Sequence, residues 1–579
     1  MMYIKKELWF GKTIEQKFSN ILQVKTFGEK LWIFLAFLTL SVVTIAAIFW
    51  IFAHPYGTNW DESRYVNRIY RDVTLFQQGG IGEFLKGVIN EDRSRPPAYR
   101  LIALPFNLLF GVNPATMRLV SLASLWVTLG FIYLAAKRIA GVTAGAFSVI
   151  FVAICPIIIA GNMRFYVDYP LQLAIAAILY FILLDWDREE ERKISWIGFG
   201  IALGLGGLAK PPILFIALPM MAVTLFLNWR KIIIKPNLSW MLKGVTLSLV
   251  IMLPWWIFNF KPALAKAFLS GKFVRHSLGE KGSLMTFAKW LFSFSQSLLG
   301  SGLTILFLAV IATLLTQLLS KKFRIKAATV GAIAVCLAGS LPMLMLSAMG
   351  TNQNTRLISP TLITLAVAIG AIAALTGWTT NKWLTAFATI LICFQLTVMV
   401  SPTPGEIKYQ KGDTASQQLL WGNHTTTMKR REQWDWSPVR EIVNQQKITN
   451  PLITYLGNYG TFNPPQIALP WVRENEPVNV AWLWQYPWGE INWNQVLTAA
   501  KSSNVVITAP QLIGGKADKQ DLDNQHNAEF VKRLEKMPEF SPPIKLMMGR
   551  YQPVEVFVFI NKKADSTKLP AEIRRLDIF

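Results

Sequence analysis

Residues 31–52 read LWIFLAFLTLSVVTIAAIFWIF, an apolar run without one ionisable side chain. A helix needs about 20 such residues to cross the ~30 Å of hydrocarbon in a bilayer, so this stretch can span. Met241–Phe260 and Ala327–Met349 repeat the pattern farther along the chain. Composition agrees. Of 579 residues, 52% are hydrophobic and only 16% charged, with a mean hydropathy of +0.35, whereas soluble domains carry about 25% charge. The chain reads as a polytopic α-helical membrane protein. A single soluble globule, a disordered chain, collagen and a disulfide scaffold are excluded as whole-chain descriptions. Cys155, Cys336 and Cys393 all lie inside apolar blocks and lack the CxxC spacing of a metal or redox site.

Basic residues set the orientation. Lys5, Lys6, Lys12, Lys17, Lys25 and Lys30 precede the first run, which assigns segment 1–30 to the cytoplasm. That segment is amphipathic and no small-residue cleavage site follows it, so it is not a cleavable signal peptide. Eleven spans are predicted, at 31–52, 116–136, 143–160, 169–184, 195–209, 212–229, 240–260, 299–319, 327–349, 357–377 and 383–400. The first outer loop, within 53–115, contains a short amphipathic stretch at 65–77 and an interfacial helix at 98–111. A basic outer loop at 261–285 leads to a second interfacial helix at 286–298. An odd span count puts the rest of the chain outside. There SPTPGE (401–406) is a Pro-rich linker, and strand-like and helical patterns alternate over 436–562. This predicts a small extracytoplasmic α/β domain within 401–579, carried by a transmembrane domain over 31–400 in the plasma (inner) membrane.

The net charge of +24, from 58 Lys+Arg against 34 Asp+Glu, points to cytoplasmic loops and lipid headgroups rather than to nucleic acid. Cations on the outer side are more informative. Arg64, Arg68, Arg71, Lys86, Arg93 and Arg95 lie in the first outer loop, with Arg100 just beyond. Lys261, Lys266, Lys272, Arg275, His276 and Lys281 lie in the second. Two readings stand: these cations snorkel to lipid phosphates, or they line a cavity for an anionic, phosphorylated substrate that arginine forks would grip. Asp61 and Glu62 follow the first span, and Asp168 opens the fourth just after Arg164. A carboxylate at a membrane boundary needs a partner or a function. Spacing alone leaves open salt bridges, Asp61 to Arg64 and Asp168 to Arg164, beside a chemical role. GLGGLAKPP (204–212) has the letters of a nucleotide loop but neither its strand nor its Ser/Thr; small-residue helix packing explains it better. His54, His276, His424 and His526 show no metal-ligand spacing. Trp482, Trp484, Tyr486, Trp488 and Trp493 suit sugar stacking or domain core equally.

The segment HPYGTNWDESRYVNRIYRDV (54–73) resembles the signature of the GT-C glycosyltransferases. More narrowly it is similar to the bacterial branch with lipid A aminoarabinose transferases and protein O-mannosyltransferases. Further resemblances follow in the family's order: Ser94-Arg95-Pro96-Pro97, Arg164-Phe165-Tyr166-Val167-Asp168, the Gly-rich turn with Lys210, Pro254-Trp255-Trp256, and Arg356-Leu357-Ile358-Ser359-Pro360. Arg95 stands where the family has Lys, and no aromatic follows Arg356. The resemblance, over roughly 31–400, implies inverting transfer of a sugar from a polyprenyl-phosphate carrier to a lipid, glycan or protein acceptor at the outer membrane face. It implies Asp61 as general base with Glu62 and Asp168 beside it. Arg95, Arg356, Lys210, Arg164, Tyr65 and His276 would contact the lipid phosphate. No cofactor is certain from the residues; a divalent metal on Asp61 and Asp168 is the one candidate. A lipid or anion transporter and an inactive scaffold subunit are the competing classes.

Overall fold

The computed structural model describes residues 26–278, 284–320, 325–349, 355–400, 433–457, 460–484, 491–512, 524–550, 553–561, 563–564 and 575–577. The first helix, α1 (Phe27–Ala53), starts at a reciprocal cap: Thr26 Oγ1 accepts the Glu29 amide, and the Glu29 carboxylate accepts the Thr26 amide. The loop that follows is mostly one helix. α2 (Trp60–Asn90) exceeds the predicted 65–77 in both directions, because Asn59 caps its start and polar residues continue on one face. It breaks at Gly79 and Gly80, where φ at Gly80 is +65°, a backbone conformation that favours glycine. Then come α3 (Ala98–Phe110) and α4 (Pro114–Ala140), followed by α5 (Val142–Ala153) and α6 (Pro156–Asn162). The last two form one apolar segment bent by 68° at Cys155–Pro156, since Pro156 cannot continue the preceding hydrogen-bond ladder.

Next are α7 (Tyr169–Leu184), α8 (Lys193–Gly207), α9 (Ile213–Trp229) and α10 (Leu238–Leu278). The predicted outer loop at 261–285 is therefore helical to Leu278: KPALAKAFL is rich in strong helix formers, and charge alone does not end a helix. α11 (Leu284–Ser293) passes through a π-helical turn, Phe294–Leu299, into α12 (Ser301–Leu319). α13 (Ala327–Ala338), α14 (Leu341–Met349), α15 (Thr355–Ile358), α16 (Thr361–Leu375) and α17 (Lys382–Val400) complete the helical domain. Of the eleven predicted spans, six coincide with segments of membrane-crossing length and one with the bent pair. The other four are the shorter apolar helices α7, α8, α9 and α16. The architecture is a multi-pass helical membrane protein carrying a small sheet domain.

Burial follows helix neighbours. α4, α5, α7 and α16 make the centre, and every residue of α16 from Thr361 to Ala373 is buried. α8 lies against α10 through its glycines. A Cβ at Gly200 would sit 2.7 Å from the Gly244 carbonyl oxygen, and one at Gly204 2.9 Å from the Ile251 Cβ. The glycine-rich run is thus a helix-packing surface, as the sequence reading favoured.

In the second domain α18 (Ser437–Gln445) precedes a six-stranded sheet of order β4-β5-β3-β1-β2-β6. β1 (Leu452–Leu456) pairs in parallel with both β2 (Asn479–Trp482) and β3 (Val505–Thr508). The crossovers carry α19 (Pro464–Arg473) and α20 (Trp493–Lys501); α21 (Asn527–Leu534) follows β3. β4 (Ile544–Met548), β5 (Val554–Ile560) and β6 (Arg575–Asp577) add antiparallel edges. α19 lies on α2, joining the two domains at the head of that helix.

Replacing Gly200 by valine should force α8 away from α10, because the atom in its way is a backbone carbonyl that cannot rotate aside. An overpacking cost of about 1–3 kcal/mol is expected, measured as a lower thermal midpoint in lipid nanodiscs.

Candidate active site

Asp61 and Glu62 stand side by side in the first turn of α2, yet the fold treats them oppositely. Consecutive helical residues point about 100° apart. Glu62 turns inward and is fully buried. Its Oε1 accepts from Arg118 Nε (2.8 Å) and the Phe165 amide (3.0 Å); its Oε2 accepts from the Thr58 amide (2.7 Å) and Thr58 Oγ1 (2.8 Å). Burial pushes its pKa upward, but Arg118 and these donors outweigh that and hold it at about 2. Arg118 also donates to the carbonyls of His54 and Tyr56, tying the end of α1 to α4. With every lone-pair direction engaged, Glu62 holds the site together and cannot serve as a base.

Asp61 turns the other way, with its side chain 44% exposed. Its Oδ2 accepts from Arg356 Nη1 at 2.7 Å, while Nε of the same guanidinium donates to Asp168 Oδ2 at 2.6 Å. Asp168 Oδ1 accepts from Lys210 Nζ at 2.5 Å. One arginine thus bridges two carboxylates, and a lysine closes the far end. Burial, complete for Asp168 and partial for Asp61, pushes both aspartate pKa values upward, but the cations win. Asp168 is held at about 2 by Arg356 and Lys210, and Asp61 falls below the ordinary range under Arg356, Arg95 and Lys210. Burial pulls Lys210 below its usual value, against the pull of Asp168.

Arg95 lies at the rim, its guanidinium 5.5 Å from the centre of the Tyr65 ring and 3.3 Å from Asp92 Oδ1. Tyr65 is buried, and burial together with Asp61 raises its phenol to about 12. The Arg356 guanidinium carbon lies over the Tyr166 ring, 3.9 Å from its centre. Beside Lys210, a groove of about 550 Å³ runs between α8, α9 and α10, lined by Gly207, Pro211, Leu218, Met252, Trp256 and Phe260. Its lining is almost wholly apolar.

Asp61, Asp168, Lys210 and Arg356 therefore come together, with Arg95 and Tyr65 at their edge. Arg164 does not join them. It is buried 5.9 Å from the Trp50 ring centre and makes no ion pair among the described residues. The His276 side chain lies outside the described residues. Both spacing-based salt bridges are corrected: Arg64 pairs with Asp92 at 3.0 Å, leaving Asp61 to Arg356, and Asp168 takes Lys210 and Arg356 instead of Arg164. Most outer-loop arginines are neither snorkelling nor free. Arg68 and Arg71 face Glu91, Arg100 grips the buried Asp72, and Arg93 donates to Asn259 and the Phe258 carbonyl. A divalent cation fits poorly between Asp61 and Asp168, because Arg356 already occupies the space between their oxygens. Among the described residues no group of three His, Cys, Asp or Glu side chains lies together.

Sequence reasoning missed Arg118, Asp92, Tyr166 and Asn59. Arg118 carried a legible signal, as a charge in the first turns of an apolar span that demands a buried partner. Tyr166 and Asn59 lie inside the segments that carry the family resemblance, but nothing in the letters showed their roles, which depend on which loops meet.

A family model described as dolichyl-phosphate-mannose-protein mannosyltransferase matches residues 94–258. The structure is similar to ArnT from Cupriavidus metallidurans bound to undecaprenyl phosphate, with a TM-score of 0.53 and 14% identity over 90% of this chain and 97% of that one. The apo state of that protein matches with a TM-score of 0.51 and 15% identity, over the same shares of 90% and 97%. No curated protein sequence matches the chain. The likeness is one of fold: the chain resembles the GT-C superfamily of membrane glycosyltransferases.

Glu62→Gln keeps the shape but leaves Arg118 buried without its counter-charge. A loss of about 3–5 kcal/mol in stability is expected, read from thermal unfolding of the purified protein. Unchanged stability would mean that the pair does not hold the site.

Proposed function

We propose that this protein is a membrane glycosyltransferase that moves a sugar from a polyprenyl-phosphate donor to an acceptor hydroxyl, with inversion and with Asp61 as general base. The observation that carries this reading is the single guanidinium of Arg356 shared by an exposed and a buried aspartate. The likeness in fold to ArnT solved with undecaprenyl phosphate supports the lipid donor.

In the reaction, the acceptor oxygen forms a bond to the anomeric carbon while the bond from that carbon to the phosphate oxygen breaks. The bonding pair leaves with the lipid phosphate, and the acceptor proton passes to Asp61. Charge grows on the phosphate in the transition state, so cations already in position lower the barrier without rearranging. Lys210, Arg356 and Arg95 would supply them. The apolar groove beginning at Gly207 and Pro211, beside Lys210, suits the prenyl chain.

Arg356 gives the arrangement a second property. In the free protein its charge depresses the basicity of Asp61. A donor phosphate competes for the same guanidinium, which loosens its hold on Asp61 and raises the basicity of that carboxylate. Asp168, still held by Lys210, keeps Arg356 from swinging away. A transport reading is less well supported, since Asp61, Asp168, Lys210 and Arg356 all lie at helix ends rather than at mid-span depth.

Asp61→Asn should lower release of free polyprenyl phosphate by at least about 10²-fold while leaving the thermal midpoint unchanged. Wild-type turnover in that variant would remove Asp61 as the base. The pH dependence has a definite sign. A carboxylate with a depressed pKa keeps its charge above that pKa and loses it only as pH falls through it. For the free enzyme, kcat/KM should therefore show no acidic limb until the pH falls below the ordinary carboxylate range. The limb in kcat, which reports the donor complex, should lie higher. An acidic limb of kcat/KM near neutrality would contradict this assignment.

A further inference from the structure

Among the contacts of the sheet domain with the helical domain, one buried side chain meets the turn that carries Asp61. Gln466 lies on α19, whose start is fixed by two prolines and by Asn463, which caps the Gln466 amide at 3.1 Å. The side chain is 1% exposed and crosses the domain boundary. Its Nε2 donates to the Gly57 carbonyl at 2.5 Å and to Ser63 Oγ at 2.7 Å. The amide can face only this way. Gly57 O is an acceptor, and the Ser63 hydroxyl spends its proton on the Asn59 carbonyl at 2.6 Å. Gly57 has no room for a side chain, since a Cβ there would lie 2.3 Å from Ser63 Oγ and 2.7 Å from Gln466 Nε2.

These atoms enclose the start of α2, the turn that carries Asp61. Asn59 Oδ1 caps the Glu62 amide at 3.1 Å, and its Nδ2 donates to Tyr166 Oη. The Tyr166 ring in turn lies under Arg356, which holds Asp61. Two further bonds fasten the same boundary: Asn67 Nδ2 to the Pro465 carbonyl (2.8 Å), and the Tyr56 amide to Gln433 Oε1 (2.9 Å).

We infer that the sheet domain is part of the catalytic apparatus, and that Gln466 is a positioning residue that sets the direction in which α2 presents Asp61. A domain that only capped the cavity or selected the acceptor would need no buried donor at this turn. Gln466 touches no reacting atom; it acts through Ser63, Gly57 and Asn59.

Gln466→Glu in the full-length protein tests this, because it keeps the shape and turns two donors into acceptors. At pH 8 polyprenyl-phosphate release should fall more than about tenfold, with carrier affinity unchanged, since the lipid-phosphate cations are untouched. The carboxyl, buried against two acceptors, has a raised pKa. Lowering the pH to about 5 should protonate it, restore one donor and recover much of the lost kcat/KM, whereas the wild-type kcat/KM stays level. Full activity at pH 8, or a loss that acid does not recover in a folded protein, would overturn the inference.

This kinetic arm rests on the transfer reading, so a second measurement is free of it. Hydrogen exchange at amides 57–66 should quicken at least about tenfold in Gln466→Ala and in Gly57→Ala, while α4 stays protected. Unchanged protection at 57–66 would also overturn the inference. Loosened exchange in a protein that releases no polyprenyl phosphate would uphold the positioning role and sink the transfer reading.

Discussion

The buried pair Glu62–Arg118 is the constraint on which the site depends. It brings four separate parts of the chain to one point: the end of α1 through the His54 and Tyr56 carbonyls, the head of α2, the wall of α4, and the loop before α7 through the Phe165 amide. Removing two charges from water costs several kcal/mol per ion, recovered only when geometry and hydrogen bonding are complete. Here both Glu62 oxygens accept at least two hydrogen bonds each, and Arg118 donates four. With Glu62 fixed, the helical rotation between neighbours turns Asp61 away from the core. The same clamp sets Phe165, and three residues later Asp168 arrives opposite Asp61. Two carboxylates from different segments are thus brought onto one guanidinium, an arrangement that neither segment could adopt alone.

Charge is distributed with similar economy. The two central aspartates are matched by Lys210 and Arg356, so the centre is close to neutral before any ligand enters. Arg95 shares Asp92 with Arg64, so this rim cluster carries a net positive charge. On the proposed reading, an entering phosphate would meet cations already ordered by carboxylates and would need only to displace part of their coordination. That is preorganisation, and it removes the entropic cost of gathering flexible side chains around an anion.

Much of this was legible in the sequence. Each predicted span falls on helical structure, and six coincide with segments long and apolar enough to cross a bilayer, because burial in lipid imposes a length that composition reveals. The carboxylates Asp61 and Asp168, and the cations Lys210 and Arg356, were visible as charges at span boundaries and through the family resemblance. Partners were not visible. Arg64 is three residues from Asp61 on the same helix, yet it turns to Asp92, since tertiary contacts override local spacing. Glu62 was grouped with Asp61 among the catalytic carboxylates because letters do not reveal which of two neighbours faces inward. The helix over 261–278 was hidden by its charges, and α19 by its three prolines. The contact between Gln466 and the α2 turn joins residues some 400 positions apart and leaves no periodic trace.

The most direct test of the account is a structure of the protein determined with a polyprenyl phosphate bound. The account predicts the phosphate within hydrogen-bond distance of Arg356 and of Lys210 or Arg95, the prenyl chain along the groove between Gly207 and Phe260, and Arg356 partly drawn from Asp61. A phosphate bound elsewhere, at Arg164 for example, with the Asp61–Arg356–Asp168 bridge intact, would contradict it.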